Sequence, residues 1–174
     1  MTERERSCAP IDDGDLALLA AFACDHERGL FARHPDGAGR FAGRLLGRAL
    51  CQGGALHYLD GRTGVKDLDV WSFYAEIPGG RPFPYRRHGN ADFGRSKFGR
   101  HPGDDPGKYT GRRIDLMGRS VPEPVGTDPS DAIVRWLEAG RTESARWLAK
   151  KAVILIWPAS RIGHVVWDGR VSRG

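Results

Sequence analysis

The chain has 174 residues, enough for one compact domain to bury most of the surface that folding can hide. Seven Phe, five Trp and four Tyr argue against disorder, and 24 glycines predict bends and loops rather than long helices, so a loop-rich α+β or α/β fold is expected. No run of about 18 apolar residues occurs, the charged start MTERERSCAP leads into no apolar segment, and three cysteines without a CxxC pair give no disulfide framework or thiolate zinc site; the expectation is a reduced, cytoplasmic protein with no membrane partner.

Asp12-Asp13-Gly14-Asp15 ahead of LALLAAFACDHE predicts a helix start, because acids favour the positive end of the helix dipole; the helix is expected to end near Gly29. After the turn cluster His34-Pro35-Asp36-Gly37, the offsets of Phe41, Leu45, Leu46 and Leu50 fit a second helix that glycines interrupt, and its end is also compatible with a strand. Asp60-Gly61 and Thr63-Gly64 mark a turn, and Val65 to Ala75 is the best strand candidate.

From about 77 to 111 Pro and Gly recur too often for regular elements, which predicts an insertion within a single 1–174 domain; Phe83, Tyr85, Phe93, Phe98 and Tyr109 argue that it is partly ordered. Between Ile77 and Arg113 nine Lys/Arg face three acids, an excess of six against a whole-chain charge of +5. Such a cluster attracts phosphate, on a nucleotide or a nucleic acid.

Arg112 to Gly118 predicts a second short strand. Asp128 is a candidate cap with Pro129 at the first helical position and Gly140 past the end, and Thr142 a cap for a helix running toward Trp157-Pro158. Trp136, Trp147, Trp157 and Trp167 are expected as core anchors, and HVVWDGRV as an edge strand.

Alternate residues of a strand share a face, so Asp67 and Asp69 point the same way with Cα atoms about 6.6–6.8 Å apart. Val65, Trp71 and Phe73 are expected on that face too, so the two acids sit beside buried neighbours and need a partner. Hard divalent cations take oxygen ligands, and magnesium at phosphoryl-transfer sites is held by a few carboxylates plus substrate phosphates. Asp115, between Ile114 and Leu116, supplies a third carboxylate if its strand lies alongside. Upstream, Gly53-Gly54 lets backbone N–H groups approach phosphate closely.

The run GG-x12-DLDV followed by RRIDLM resembles the signature of the nucleotidyltransferase superfamily typified by DNA polymerase beta. The resemblance spans Leu50 to Met117 and implies a small mixed sheet flanked by helices. It implies Asp67, Asp69 and Asp115 as catalytic and metal-ligating carboxylates holding Mg2+ or Mn2+, and Gly53 and Gly54 facing the triphosphate. The second glycine stands where many members have serine, and ALHY lacks an arginine common in minimal bacterial members.

The expected activity is transfer of a nucleoside monophosphate from a nucleoside triphosphate to an acceptor hydroxyl on RNA, a small molecule or a protein. Arg86, Arg87, Lys97 and Arg100, with Arg95, would bind the triphosphate or a polyanionic acceptor, and the loop aromatics would stack on bases. The alternatives are an inactive chain of the same fold that binds nucleic acid or a partner protein through the basic loop, and acids that merely pair with Arg112 and Arg113. The six histidines show no metal-binding spacing, with His57 notable for lying just after Gly54, and Lys66 is expected on the opposite face from the acids.

Overall fold

Residues 9–83, 86–94, 97–99 and 106–171 are described by a computed structural model of the chain. Asp12 caps α1 (Asp13–Arg33): its carboxylate accepts from the Asp15 N–H at 2.8 Å, and Asp15 accepts from the Asp12 N–H at 2.9 Å. The helix runs past the stop expected at Gly29 because Leu30 in its last turn is buried, packed beside Phe41, Tyr74 and Phe83.

The second helix expected around Leu45–Leu50 is instead a strand, β1 (Leu45–Cys51), followed by α2 (Gln52–Asp60). β1 is covered on both faces, so every position from Leu46 to Cys51 is buried, Arg48 included, and the segment shows no strand alternation of apolar and polar residues. A Cβ on Gly47 would lie 2.8 Å from Pro129, so the glycine is what lets the next layer approach.

β2 (Asp67–Ala75) pairs antiparallel with β1 and parallel with β4 (Arg112–Val121). The segment expected to lack regular structure contributes β3 (Arg86–Ala91), antiparallel to β4 at the sheet edge. Its polar sequence carries no strand signal; pairing with β4 and the contact of Gly89 with Phe22 of α1, where a Cβ would come within 2.6 Å, override local propensity.

On the other flank, Asp128 caps α3 (Pro129–Ala139), accepting from Ser130 N at 2.9 Å and Asp131 N at 3.1 Å, and Gly140 closes it at φ 56. Thr142 caps α4 (Glu143–Leu148), which is shorter than expected because β5 (Ala152–Trp157), buried as far as Ile156, takes up the apolar run; β6 (Val165–Asp168) is the expected edge strand.

The result is an α+β fold built on one mixed sheet in the order β3-β4-β2-β1-β5-β6. On one face Leu16, Leu19 and Ala23 of α1 and Ala55 of α2 pack on Leu50, Leu68, Val70, Ile114 and Ile154. On the other, Ile133 and Trp136 of α3 and Leu148 of α4 pack on Trp71, Phe73, Val121 and Val153. Val65 precedes β2 and joins the α1 side, away from the face expected for it. Trp136 is buried as expected, but Trp147 and Trp157 are 56% and 37% exposed and are not core anchors. A polar node lies within the α1 layer: Arg48, 1% exposed, donates from Nε to Ser72 Oγ at 2.9 Å and pairs with Glu27 at 2.7 Å, which also accepts from the Tyr74 hydroxyl. Among the described residues, no helix is long and apolar enough to cross a membrane.

Candidate metal centre and cleft

Parallel pairing sets the register Asp67↔Arg113, Leu68↔Ile114 and Asp69↔Asp115. Because the pleats of neighbouring strands align, Leu68 and Ile114 face α1 and α2 while Asp67, Asp69 and Asp115 emerge together on the α3 and α4 side. One carboxylate oxygen from each of the three lies within 4.8 Å of the other two. Asp115 is buried at 4% exposure, and Asp67 and Asp69 are half-buried.

Burial, and then the charges of Asp67 and Asp115, push the Asp69 carboxyl up to about 7, with Lys151 and Arg86 pulling the other way. Part of the negative charge is answered from within. Arg113 donates from Nε to Asp115 Oδ1 at 3.0 Å, with Nη2 at 3.0 Å from the same oxygen, and Arg86 Nη2 lies 3.8 Å from Oδ2. Arg112 takes no part: it is buried and donates to the backbone carbonyls of Val65 at 2.8 Å and Gly99 at 3.2 Å. Cys51, the neighbour of Asp69 on β1, has its thiol pushed up by burial and by Asp69, which keeps it protonated and out of any ligand set at neutral pH. The triad therefore offers oxygen donors alone and can hold a metal ion, and a hard cation is the kind that fits.

Beside the triad opens a cleft of about 980 Å³. Gln52, Gly53 and Lys66 flank Asp67 and Asp69 in its wall, Lys151 and Arg86 also line it, and it extends to Arg119 and α4. At Gln52 the backbone has φ 59, a left-handed conformation a side-chain-bearing residue rarely holds, where the chain turns from β1 into α2. No side chain caps that helix start, and Gln52 and Gly53 of its first turn line the cleft.

The two glycines separate. Gly53 lines the cleft, and a Cβ there would meet nothing nearer than 3.8 Å; Gly54 is buried, where a Cβ would lie 2.9 Å from Leu50 and 3.1 Å from Leu68. Gly54 thus sets the distance between α2 and the sheet. Of the cations expected to serve a nucleotide, Arg86 is at the cleft. Arg87 falls on the α1 face of β3, near Glu27, Tyr74 and Arg48, and Lys97 pairs with Asp15 at 2.8 Å and Asp12 at 3.5 Å. Arg95 and Arg100 lie outside the described residues. His57 is buried, its Nδ1 donating to the Thr63 carbonyl at 2.5 Å, and packs edge-on against Phe98.

Three cleft residues were not expected. Lys66 stands in the bend before β2, where strand alternation does not yet apply, and so reaches the acid side. Lys151 and Arg119 carry no local signal, since only the sheet brings them to the site. Compared with known proteins, the chain matches no family model, no curated protein and no solved structure.

Proposed function

We propose that the chain is a metal-dependent nucleotidyltransferase of the cytoplasm, moving a nucleoside monophosphate from a nucleoside triphosphate to an acceptor hydroxyl on RNA, a small molecule or a protein. The observation that carries the reading is the convergence of Asp67, Asp69 and the buried Asp115, the first two in the wall of a cleft that also holds an uncapped helix start and several cations.

Asp67, Asp69 and Asp115 would hold Mg2+ or Mn2+, and such ions supply charge neutralisation of the triphosphate and a lowered pKa for the attacking hydroxyl. Gly53 leaves the start of α2 open to a phosphate oxygen, and Lys66, Lys151 and Arg86 bring positive charge to the same wall. With its pKa near neutrality, Asp69 gives up a proton readily when a cation takes its oxygen. Asp115 accepts the acceptor's proton directly or through a water. Catalysis on this plan is positioning and electrostatic preorganisation.

One observation favours a second reading: Arg113, at 3.0 Å, already neutralises Asp115, as it would in a non-catalytic chain of the same fold that binds nucleic acid or a partner protein. Calorimetric titration of magnesium or manganese with a non-hydrolysable nucleoside triphosphate separates the two. Metal-dependent binding that disappears in Asp67→Asn and Asp69→Asn supports transfer; a folded native protein that binds neither metal nor nucleotide refutes it.

A further inference from the structure

Past the triad the cleft continues along the same sheet face. Trp71 follows Asp69 by two residues on β2, about 6.7 Å farther along that face, and Met117 is its register partner on β4. Across from them α4 presents Trp147, which is 56% exposed while its Nε1 donates to Glu143 Oε1 at 3.4 Å. Lys150 Nζ lies over one face of this indole, 4.7 Å from the ring centroid, so the other face is the one left for a flat partner.

The acceptors of α4 at this end, Glu143 and Ser144, are already engaged by Trp147 and Arg119, while two donors are left over. Trp71 is only 8% exposed, lines the cleft, and its indole Nε1 has no hydrogen-bond partner. Arg119, two residues beyond Met117 and on the same face, donates from Nη2 to Ser144 Oγ at 2.5 Å, and its Nε is buried and likewise without a partner. Both nitrogens are fully buried donors left unpaired, and an acceptor brought into this end of the cleft answers them once the Trp71 and Arg119 side chains turn toward it.

We propose that this end of the cleft is a nucleobase subsite that selects bases carrying a keto oxygen at purine C6 or pyrimidine C4, guanine and uracil, over adenine and cytosine, which carry an amino group there. The inference rests on the transfer reading above and names the substrate class of that same site. Trp147 and Met117 supply the apolar surfaces on which any base stacks. Trp71 Nε1 and the Arg119 guanidinium supply the discrimination: a keto oxygen answers an unpaired donor, whereas the exocyclic amino group of adenine or cytosine sets donor against donor. Trp71 and Arg119 are specificity residues in this account, and the triad is left to the metal and phosphates.

The test is calorimetric titration of the full chain with magnesium plus either inorganic tripolyphosphate or each of the four non-hydrolysable nucleoside triphosphates. The guanosine and uridine compounds are expected to bind roughly tenfold tighter than the adenosine and cytidine compounds, the value of one well-made hydrogen bond. Trp147→Ala, an exposed position that leaves the core intact, should weaken all four roughly tenfold and leave tripolyphosphate unchanged. Arg119→Met should level the four affinities without abolishing them. Tripolyphosphate binding combined with equal affinity for all four bases, or with an indifferent Trp147→Ala, overturns the base subsite alone. Failure of tripolyphosphate and nucleotides alike overturns the transfer reading and this inference with it.

Discussion

Removing the charge of Asp69 should stabilise the metal-free protein, and only above the acid range. Its carboxyl, pushed up from 3.8 to about 7 by burial and by Asp67 and Asp115, binds a proton more tightly folded than unfolded. The folded state therefore loses stability as pH rises from 3.8 toward 7, and above 7 the penalty is complete. A shift of about 3 units at 1.36 kcal/mol each is about 4 kcal/mol of repulsion and desolvation at pH 8, and about 2 kcal/mol at pH 5. Asp69→Asn keeps the shape and cannot ionise. In excess chelator it should melt roughly 10 °C above the native protein at pH 8, with the gap shrinking by about half at pH 5. Adding magnesium or manganese should raise the native melting temperature at pH 8 and leave the variant where it is. Thermal melts followed by circular dichroism between pH 5 and 8.5 decide the matter. Coincident melting at pH 8, or a gap that does not change with pH, refutes the picture of three mutually repelling carboxylates.

The two glycines at the start of α2 should behave differently. Gly54→Ala forces a Cβ to within 2.9 Å of Leu50 and 3.1 Å of Leu68 and should cost about 1–3 kcal/mol by denaturant unfolding. Gly53→Ala, with 3.8 Å of clearance, should leave stability nearly unchanged while weakening metal-dependent triphosphate binding measured by calorimetry. Arg48→Met removes the buried cation paired with Glu27 at 2.7 Å, leaving it the Tyr74 hydroxyl, and should lower stability by about 3 kcal/mol in urea melts, with metal binding to the remaining folded protein unaffected.

Residues whose role is decided within one element were readable from the chain. Asp128 and Thr142 cap helices because a short oxygen-bearing side chain before a helical run has little else to do, the acids from Asp12 to Asp15 mark the start of α1, and Gly140 ends α3 because the chain must turn left-handed there. Asp67 and Asp69 share a face by the two-residue period of a strand, and Asp115 joins them as soon as β4 lies parallel to β2 in register. What failed was decided between elements. Leu45 to Leu50 suits helix and doubly covered strand alike, and only its place between β2 and β5 makes it a strand. The polar sequence of β3 forms a strand because β4 offers it a ladder. Within the site, the sequence pattern could not separate Gly53 from Gly54 or place Arg86 and Arg87 on opposite faces without knowing that β3 existed. The role of Arg113 turns on which face of β4 it takes, and the contribution of Lys151 and Arg119 depends wholly on sheet order.

The parallel pairing of β2 with β4 also bears on when the acidic site comes into being. Asp69 and Asp115 are register partners separated by 115 − 69 = 46 positions, so their meeting closes a long loop whose entropy must be met before the pair gives anything back. β1 and β2, joined through the short α2, can find each other far sooner. A chain in which only that nearer pairing exists holds two of the three carboxylates and no third, so no metal centre. Bound cation is thus a reporter of the completed sheet rather than a template for it, and a divalent ion should slow unfolding while leaving the early steps of folding at their metal-free rates.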